Sequence, residues 1–128
     1  MAKKLEWQHK DLTADDMATL GMILRTNRLP KLLRLRLDGN VFAVAGMRAL
    51  CEGLGGGAAP SLICLDVACN WFGPAGAEAL AAALQRGAMP KLEQLLIDAN
   101  PIGDQGLAAL VTPLRKLPAL KELSLIHI

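Results

Sequence analysis

The chain predicts an α/β solenoid, one strand and one helix per coil, and three observations predict it. Asn40, Asn70 and Asn100 recur every 30 residues, and each closes an LxxLxLxxN phrase: LLRLRLDGN from Leu32, LICLDVACN from Leu62 and LEQLLIDAN from Leu92. Gly46, Gly76 and Gly106 repeat with the same 30-residue spacing, each opening a second unit. Pro30, Pro60, Pro90 and Pro118 each stand two residues before the leucine that opens the next phrase. Self-similarity at a fixed period of about 20–50 residues is the signature of stacked repeats and outranks local propensity.

Each element follows from its own pattern. Within the phrases, leucines alternate, which is the period of a strand. After the glycines, Met47/Leu50/Leu54, Ala77/Leu80/Leu84 and Leu107/Leu110/Leu114 are spaced by three and four, which places them on one helical face. The prolines cannot continue a helix and bias their predecessors toward extended backbone, so they start the return. Residues 32–61, 62–91 and 92–119 are full repeats. Residues 2–31 fit the same register in degenerate form, with Lys10 at the asparagine place and Trp7 at a leucine place. An atypical, polar terminal repeat is what a solenoid uses as a cap. Residues 120–128 open a further repeat that is cut short, 28 residues after its predecessor, the two missing residues falling between Leu114 and Pro118. The whole, 1–128, reads as one domain.

Inside the coils, Leu35/Leu65/Leu95/Leu123 and Leu37/Val67/Ile97/Leu125 point inward, because no single repeat can bury its own apolar face. The asparagine amide carries both a donor and an acceptor, so it can satisfy backbone groups of its own and the neighbouring coil. The glycines permit close approach of helix to strand.

With 52% apolar and 20% charged residues and a net charge of +2, the chain is an ordinary globular composition without the dense basic patch of a nucleic-acid binder. Four aromatics, Trp7, Phe42, Trp71 and Phe72, provide no base-stacking platform. No apolar run approaches the ~20 residues of a membrane helix. Three cysteines, an odd number, argue against a closed disulfide framework; with no signal-peptide pattern, a cytoplasmic setting is expected.

Nothing in the sequence converges on catalysis or a cofactor. His9 and His127 belong to opposite ends of the solenoid, and Gly55-Gly56-Gly57 lacks the Lys and Ser/Thr of a phosphate loop. Cys51, Cys64 and Cys69 do not converge as zinc ligands: alternation sends Cys64 and Cys69 to opposite faces, and Cys51 lies on a helix. Asp38, Asp66 and Asp98 would suggest a calcium ladder. However, Asp66 is one alternation step from the other two, with Ala68 between them, so a solvated face of mixed charge is expected.

The phrases, together with the G-x-x-G-x-x-A-L segments from Gly73 to Leu80 and from Gly103 to Leu110, resemble the leucine-rich-repeat family and, within it, the ribonuclease-inhibitor-like class. That resemblance implies a horseshoe arc with parallel strands on the concave face and helices on the convex face. It also implies a non-enzymatic module that binds a protein partner through the concave face and rim, with no cofactor or metal, no nucleic acid and no membrane. The alternative it implies is regulation of an enzyme, as an inhibitor or a small-GTPase activator, for which Arg34 and Arg36 are the outward arginines. By alternation the candidate contact residues are Arg34, Arg36, Asp38, Asp66, Gln94, Leu96 and Asp98, with Trp71 at the rim and Asn40, Asn70 and Asn100 as the structural ladder. Self-association is expected through the open edge at Leu123, Leu125, Ile126 and Ile128, because unpaired strand groups beside apolar side chains invite pairing.

Overall fold

The computed structural model describes residues 3–27, 29–55 and 57–124. Five parallel strands alternate with four helices: β1 (Lys4–Glu6), α1 (Ala14–Asn27), β2 (Arg34–Arg36), α2 (Ala43–Leu54), β3 (Cys64–Asp66), α3 (Gly73–Gln85), β4 (Gln94–Leu96), α4 (Gly103–Arg115) and β5 (Glu122–Ser124). The strands lie in chain order in one sheet, and the pairing carries the period without a slip: Leu5, Leu35, Leu65, Leu95 and Leu123 are successive partners. This is the α/β solenoid, with strands lining the concave face and helices outside. Leu125, Ile126, His127 and Ile128 lie outside the described residues.

Regular strand covers only three residues of each phrase. The alignment continues through single backbone bonds one coil apart, Leu37 N–H to Asp66 O at 2.9 Å and Val67 N–H to Leu96 O at 2.9 Å. Leu35, Leu65, Leu95, Leu37, Val67 and Ile97 are all fully buried beneath them. Phe42, Phe72 and Ile102 close the coil at the start of each helix, also buried.

Those three residues explain the recurring glycines. A Cβ on Gly46 would come within 2.6 Å of Phe42, one on Gly76 within 2.5 Å of Phe72 and one on Gly106 within 2.9 Å of Ile102. The close approach is thus to the coil's own large apolar side chain at the head of the helix, not to the strand. Gly21 and Gly53 form a contact that spacing within one coil does not reveal. α1 and α2 cross so closely that a Cβ on Gly53 would sit 2.7 Å from the Cα of Gly21, and one on Gly21 would run into the carbonyl of Ala49.

The prolines have a defined task. Leu32, Leu62, Leu92 and Leu120 donate their N–H to the carbonyls of Leu29, Ala59, Met89 and Leu117 at 3.1–3.5 Å. Each proline is therefore the second residue of a four-residue turn, the place its fixed φ suits. The shortened last repeat loses its two residues here: α4 ends at Arg115 and β5 begins at Glu122, whereas eight residues separate Gln85 from Gln94. At the other end, α1 alone among the described helices has a side-chain cap. Thr13 Oγ1 accepts from Asp16 N–H at 3.2 Å, and Asp16 Oδ2 accepts from Thr13 N–H at 2.8 Å, a reciprocal capping box.

The first coil is less uniformly polar than its sequence suggests. Between β1 and α1 runs an open groove of about 340 Å³ whose apolar wall of Trp7, Leu12, Met17, Leu20 and Ile23 is edged by Lys10, Asp16 and Thr19. Trp7, at a place where Leu37 and Val67 are buried, is exposed. On the last helix, Leu107 is also exposed, although its repeat mates Met47 and Ala77 are buried, because the described chain lays no further helix over α4.

Candidate partner-binding surface

The surface is held in place by the asparagine ladder. Asn70 is fully buried, and its Oδ1 accepts from Asn40 N–H and Val41 N–H, both at 2.9 Å. Its Nδ2 donates to Leu37 O in the preceding coil and Val67 O in its own, again at 2.9 Å. Asn100 repeats the pattern one coil on, accepting from Asn70 N–H at 2.9 Å and Phe72 N–H at 3.4 Å and donating to Val67 O and Ile97 O. Asn40 reaches back to Lys10 N–H and Leu12 N–H with its oxygen and to Trp7 O with its nitrogen. Lys10 has no acceptor to extend the chain of amides, so the ladder ends in the first coil.

On this frame the outward strand residues fall into three rows. Lys4, Arg34, Cys64, Gln94 and Glu122 form the first, and Glu6, Arg36, Asp66, Leu96 and Ser124 the second. Gln8, Asp38, Ala68 and Asp98 form the third, at the strand ends. The basic residues Lys4, Arg34 and Arg36 all lie on the first two coils, whereas the acidic residues Glu6, Asp38, Asp66, Asp98 and Glu122 are spread one to a coil. Arg34 is exposed, and Gln94, Leu96 and Asp98 are half-buried.

The middle of this face is not a solvated mosaic. Asp66 is only 8% exposed, and Cys64 beside it is buried too. Arg36 holds two carboxylates together, Asp38 through Nη2 at 3.2 Å and Asp66 through Nε at 3.7 Å. Burial raises the Asp66 carboxyl to about 6; a hydrogen bond from Ala68 N–H opposes the shift, and the charge on Asp38 adds to it. The bond to Asp38 in turn pushes the Arg36 guanidinium further up. Sequence alternation put Asp38 and Asp66 in separate rows, and it is Arg36 that couples them. In the last coils Ser124 Oγ donates to Asp98 Oδ2 at 2.7 Å and Gln94 Nε2 to Glu122 Oε1 at 3.0 Å; Ser124 was not anticipated as a partner of Asp98.

The rim stands in contrast. Trp71 is 62% exposed and Val41, its repeat mate, 58%. Both have positive φ, +60° and +54°. Pro101 fills the same place in the next coil and is exposed.

Two of the three cysteines are held as protonated thiols. Burial pushes the Cys51 thiol up to about 12 and raises that of Cys64, so both stay protonated near neutrality. Cys69 is a free thiol exposed at the turn. His9 faces Asp38 at 3.9 Å, with its ring largely in solvent. Among the described residues no group of three or more His, Cys, Asp or Glu is placed to hold a metal ion, and no helix is long and apolar enough to cross a membrane.

A repeating strand–helix coil, an inter-coil amide ladder and a single parallel sheet define the class as a repeat solenoid. The family model for the leucine-rich repeat matches residues 58–81 and 88–111. The chain therefore carries leucine-rich repeats, and its fold is their α/β solenoid. Such repeats generally serve protein–protein interaction through an extended concave surface and are typically not enzymes. No curated protein matches the chain.

Proposed function

We propose that this protein is a non-enzymatic interaction module that holds a protein partner across its concave face. The observation that carries the reading is the charge order of that face: its basic residues, Lys4, Arg34 and Arg36, stand with Glu6 and Asp38 on the first two coils, and Asp66, Asp98 and Glu122 leave the middle and last coils acidic. Such an arrangement sets the orientation of a partner with a complementary charge order, and the half-buried Leu96 between the charges supplies apolar contact. A helix of 12–14 residues after each of the first four strands supports the ribonuclease-inhibitor-like class, although the 30-residue period slightly exceeds that class's usual range. Three free thiols suit a reducing, cytoplasmic setting. Regulation of an enzyme is the narrower alternative. Arg36 is already shared between Asp38 and Asp66, so Arg34 is the arginine this face can offer to another protein's site.

The test is affinity capture with the intact chain beside an Arg36→Glu/Asp66→Arg double variant, with circular dichroism to verify folding. The variant should lose the partners that the intact chain retains. Equal recovery of every partner by both would remove the concave face from the account.

A further inference from the structure

The first coil carries apolar side chains where a terminal coil is expected to be polar. In the second coil Leu37, Phe42, Met47, Leu50 and Gly53 are buried, with the first coil beside them. Among the described residues nothing covers the same places of the first coil, which hold Trp7, Leu12, Met17, Leu20 and Ile23. Trp7 is 39% exposed and Ile23 40%. Each is also the bulkiest residue at its repeat place: Leu37, Val67 and Ile97 are the mates of Trp7, and Gly53, Ala83 and Pro113 those of Ile23. Large apolar side chains grouped on one open face and rimmed by polar residues mark a contact surface.

The strand at the border of this face names the occupant. β1 is the first strand of the sheet, with one side unpaired among the described residues. Lys3 O accepts from Leu33 N–H and Arg34 N–H, while Trp7 N–H and His9 N–H donate to Arg36 O and Asp38 O. The odd-numbered residues thus bond to the second coil, and strand alternation turns the backbone groups of Lys4 and Glu6 to the open side. Their side chains are exposed, with the half-buried Leu5 between them. Run antiparallel to itself about Leu5, this strand sets Lys4 opposite the partner's Glu6, and Glu6 opposite the partner's Lys4. Those two pairs are also the ones whose outward backbone groups exchange hydrogen bonds. Backbone and side chains therefore select one register, with opposite charges directly across it.

We propose that the protein pairs with a second copy of itself, first coil to first coil, about a twofold axis at Leu5. β1 continues the sheet into the partner's β1, and the apolar grooves behind the two strands close on one another. At this end strand meets strand and helix meets helix, because β1 is followed by its own helix. A head-to-tail stack fits less well. It would set Lys4 against Glu122, but β5 carries no described helix, so α4 and the next copy's α1 would stand one helix apart. The twofold contact leaves Arg34, Asp66 and Asp98 free, so it is independent of the protein-binding reading above.

Sedimentation equilibrium on the full chain tests it, with circular dichroism to verify that each variant is folded. The intact chain should show a reversible monomer–dimer equilibrium. Lys4→Glu sets like charges opposite each other twice across the axis and should weaken the pair about tenfold or more. Glu6→Lys should do the same, and the Lys4→Glu/Glu6→Lys exchange should restore the dimer. Ile23→Gln should weaken it about tenfold or more as well, through the groove rather than the strand. A monomer at every concentration, or no response to Lys4→Glu or to Ile23→Gln, would overturn the proposal. Assembly that grows past the dimer, or an exchange variant that stays monomeric, is what a head-to-tail stack predicts and would overturn it too.

Discussion

Asn70 and Trp71 are adjacent in the chain and opposite in physical role. Asn70 is fully buried, and each polar atom of its amide is bonded to backbone in its own coil or the one before. Trp71 is mostly exposed in a backbone conformation that it fits poorly. One residue serves the seam between coils; the other faces outward. The difference teaches that repeat place alone does not tell what a residue is for. The same 30-residue spacing that makes Asn40, Asn70 and Asn100 interchangeable joins Val41, Trp71 and Pro101, which share no side-chain chemistry beyond being apolar.

The comparison breaks most visibly at the seam. Asn70→Ala leaves Asn40 N–H and Val41 N–H without their acceptor, while Leu37 O and Val67 O keep Asn40 Nδ2 and Asn100 Nδ2. At roughly 1–3 kcal/mol for each group left unpaired, a loss of about 2–4 kcal/mol is expected in urea denaturation. A loss under about 1 kcal/mol would mean that the ladder is ornament rather than frame.

Between seam and rim, Asp66 should show the reverse sign. Its folded value of about 6 lies above the ordinary 3.8, so the folded state holds the proton more tightly than the unfolded one. Its contribution is most favourable below the unfolded value and is lost as pH rises through the folded one. Asp66→Asn should therefore stabilise the chain at pH 7, by about 1–2 kcal/mol after allowance for solvent screening, and bring no advantage near pH 3. Thermal melts of both proteins across that range decide it, and a benefit that grows toward acid would refute the assignment.

The smallest effect sharpens the contrast on the rim side. Ala43 has φ +60° at the place where Gly73 and Gly103 have +62° and +65°. Ala43→Gly should gain a few tenths to about 1 kcal/mol, strain relief outweighing the extra freedom of the unfolded glycine. Gly73→Ala should cost a similar amount, since an added Cβ there meets nothing within 4 Å and only the backbone strain acts. Paired melting curves for the two variants test the sign directly.

Much of the frame is legible in the sequence because the repeat writes it three times. The asparagines, the inward leucines and the turn prolines each stand where the period puts them, and the sheet pairs them without a slip. What the sequence withholds lies between coils. Gly21 and Gly53 are 32 residues apart and look like weak points of two helices until the helices cross. Arg36 joins Asp38 to Asp66 across rows that alternation keeps separate. The apolar wall of the first coil is not legible in the sequence, because Trp7 and Ile23 are buried or exposed according to what lies beside them, which no within-coil pattern records. The Thr13–Asp16 box, by contrast, is local and could have been read from its spacing.

The glycine contact between α1 and α2 has a geometric consequence for the whole arc. Backbone bonding sets the strands about 4.8 Å apart, whereas side-chain bulk sets helices about 8–10 Å apart. The mismatch between these two spacings, taken across the thickness of a coil, is the angle by which one coil leans on the next, as the taper of a voussoir sets the radius of an arch. Where Gly21 meets Gly53, α1 and α2 approach backbone to backbone, and so close an approach in the outer layer reduces the taper between the first two coils. Every methylene added at that crossing would bend the horseshoe more sharply and narrow the span available to whatever lies inside it.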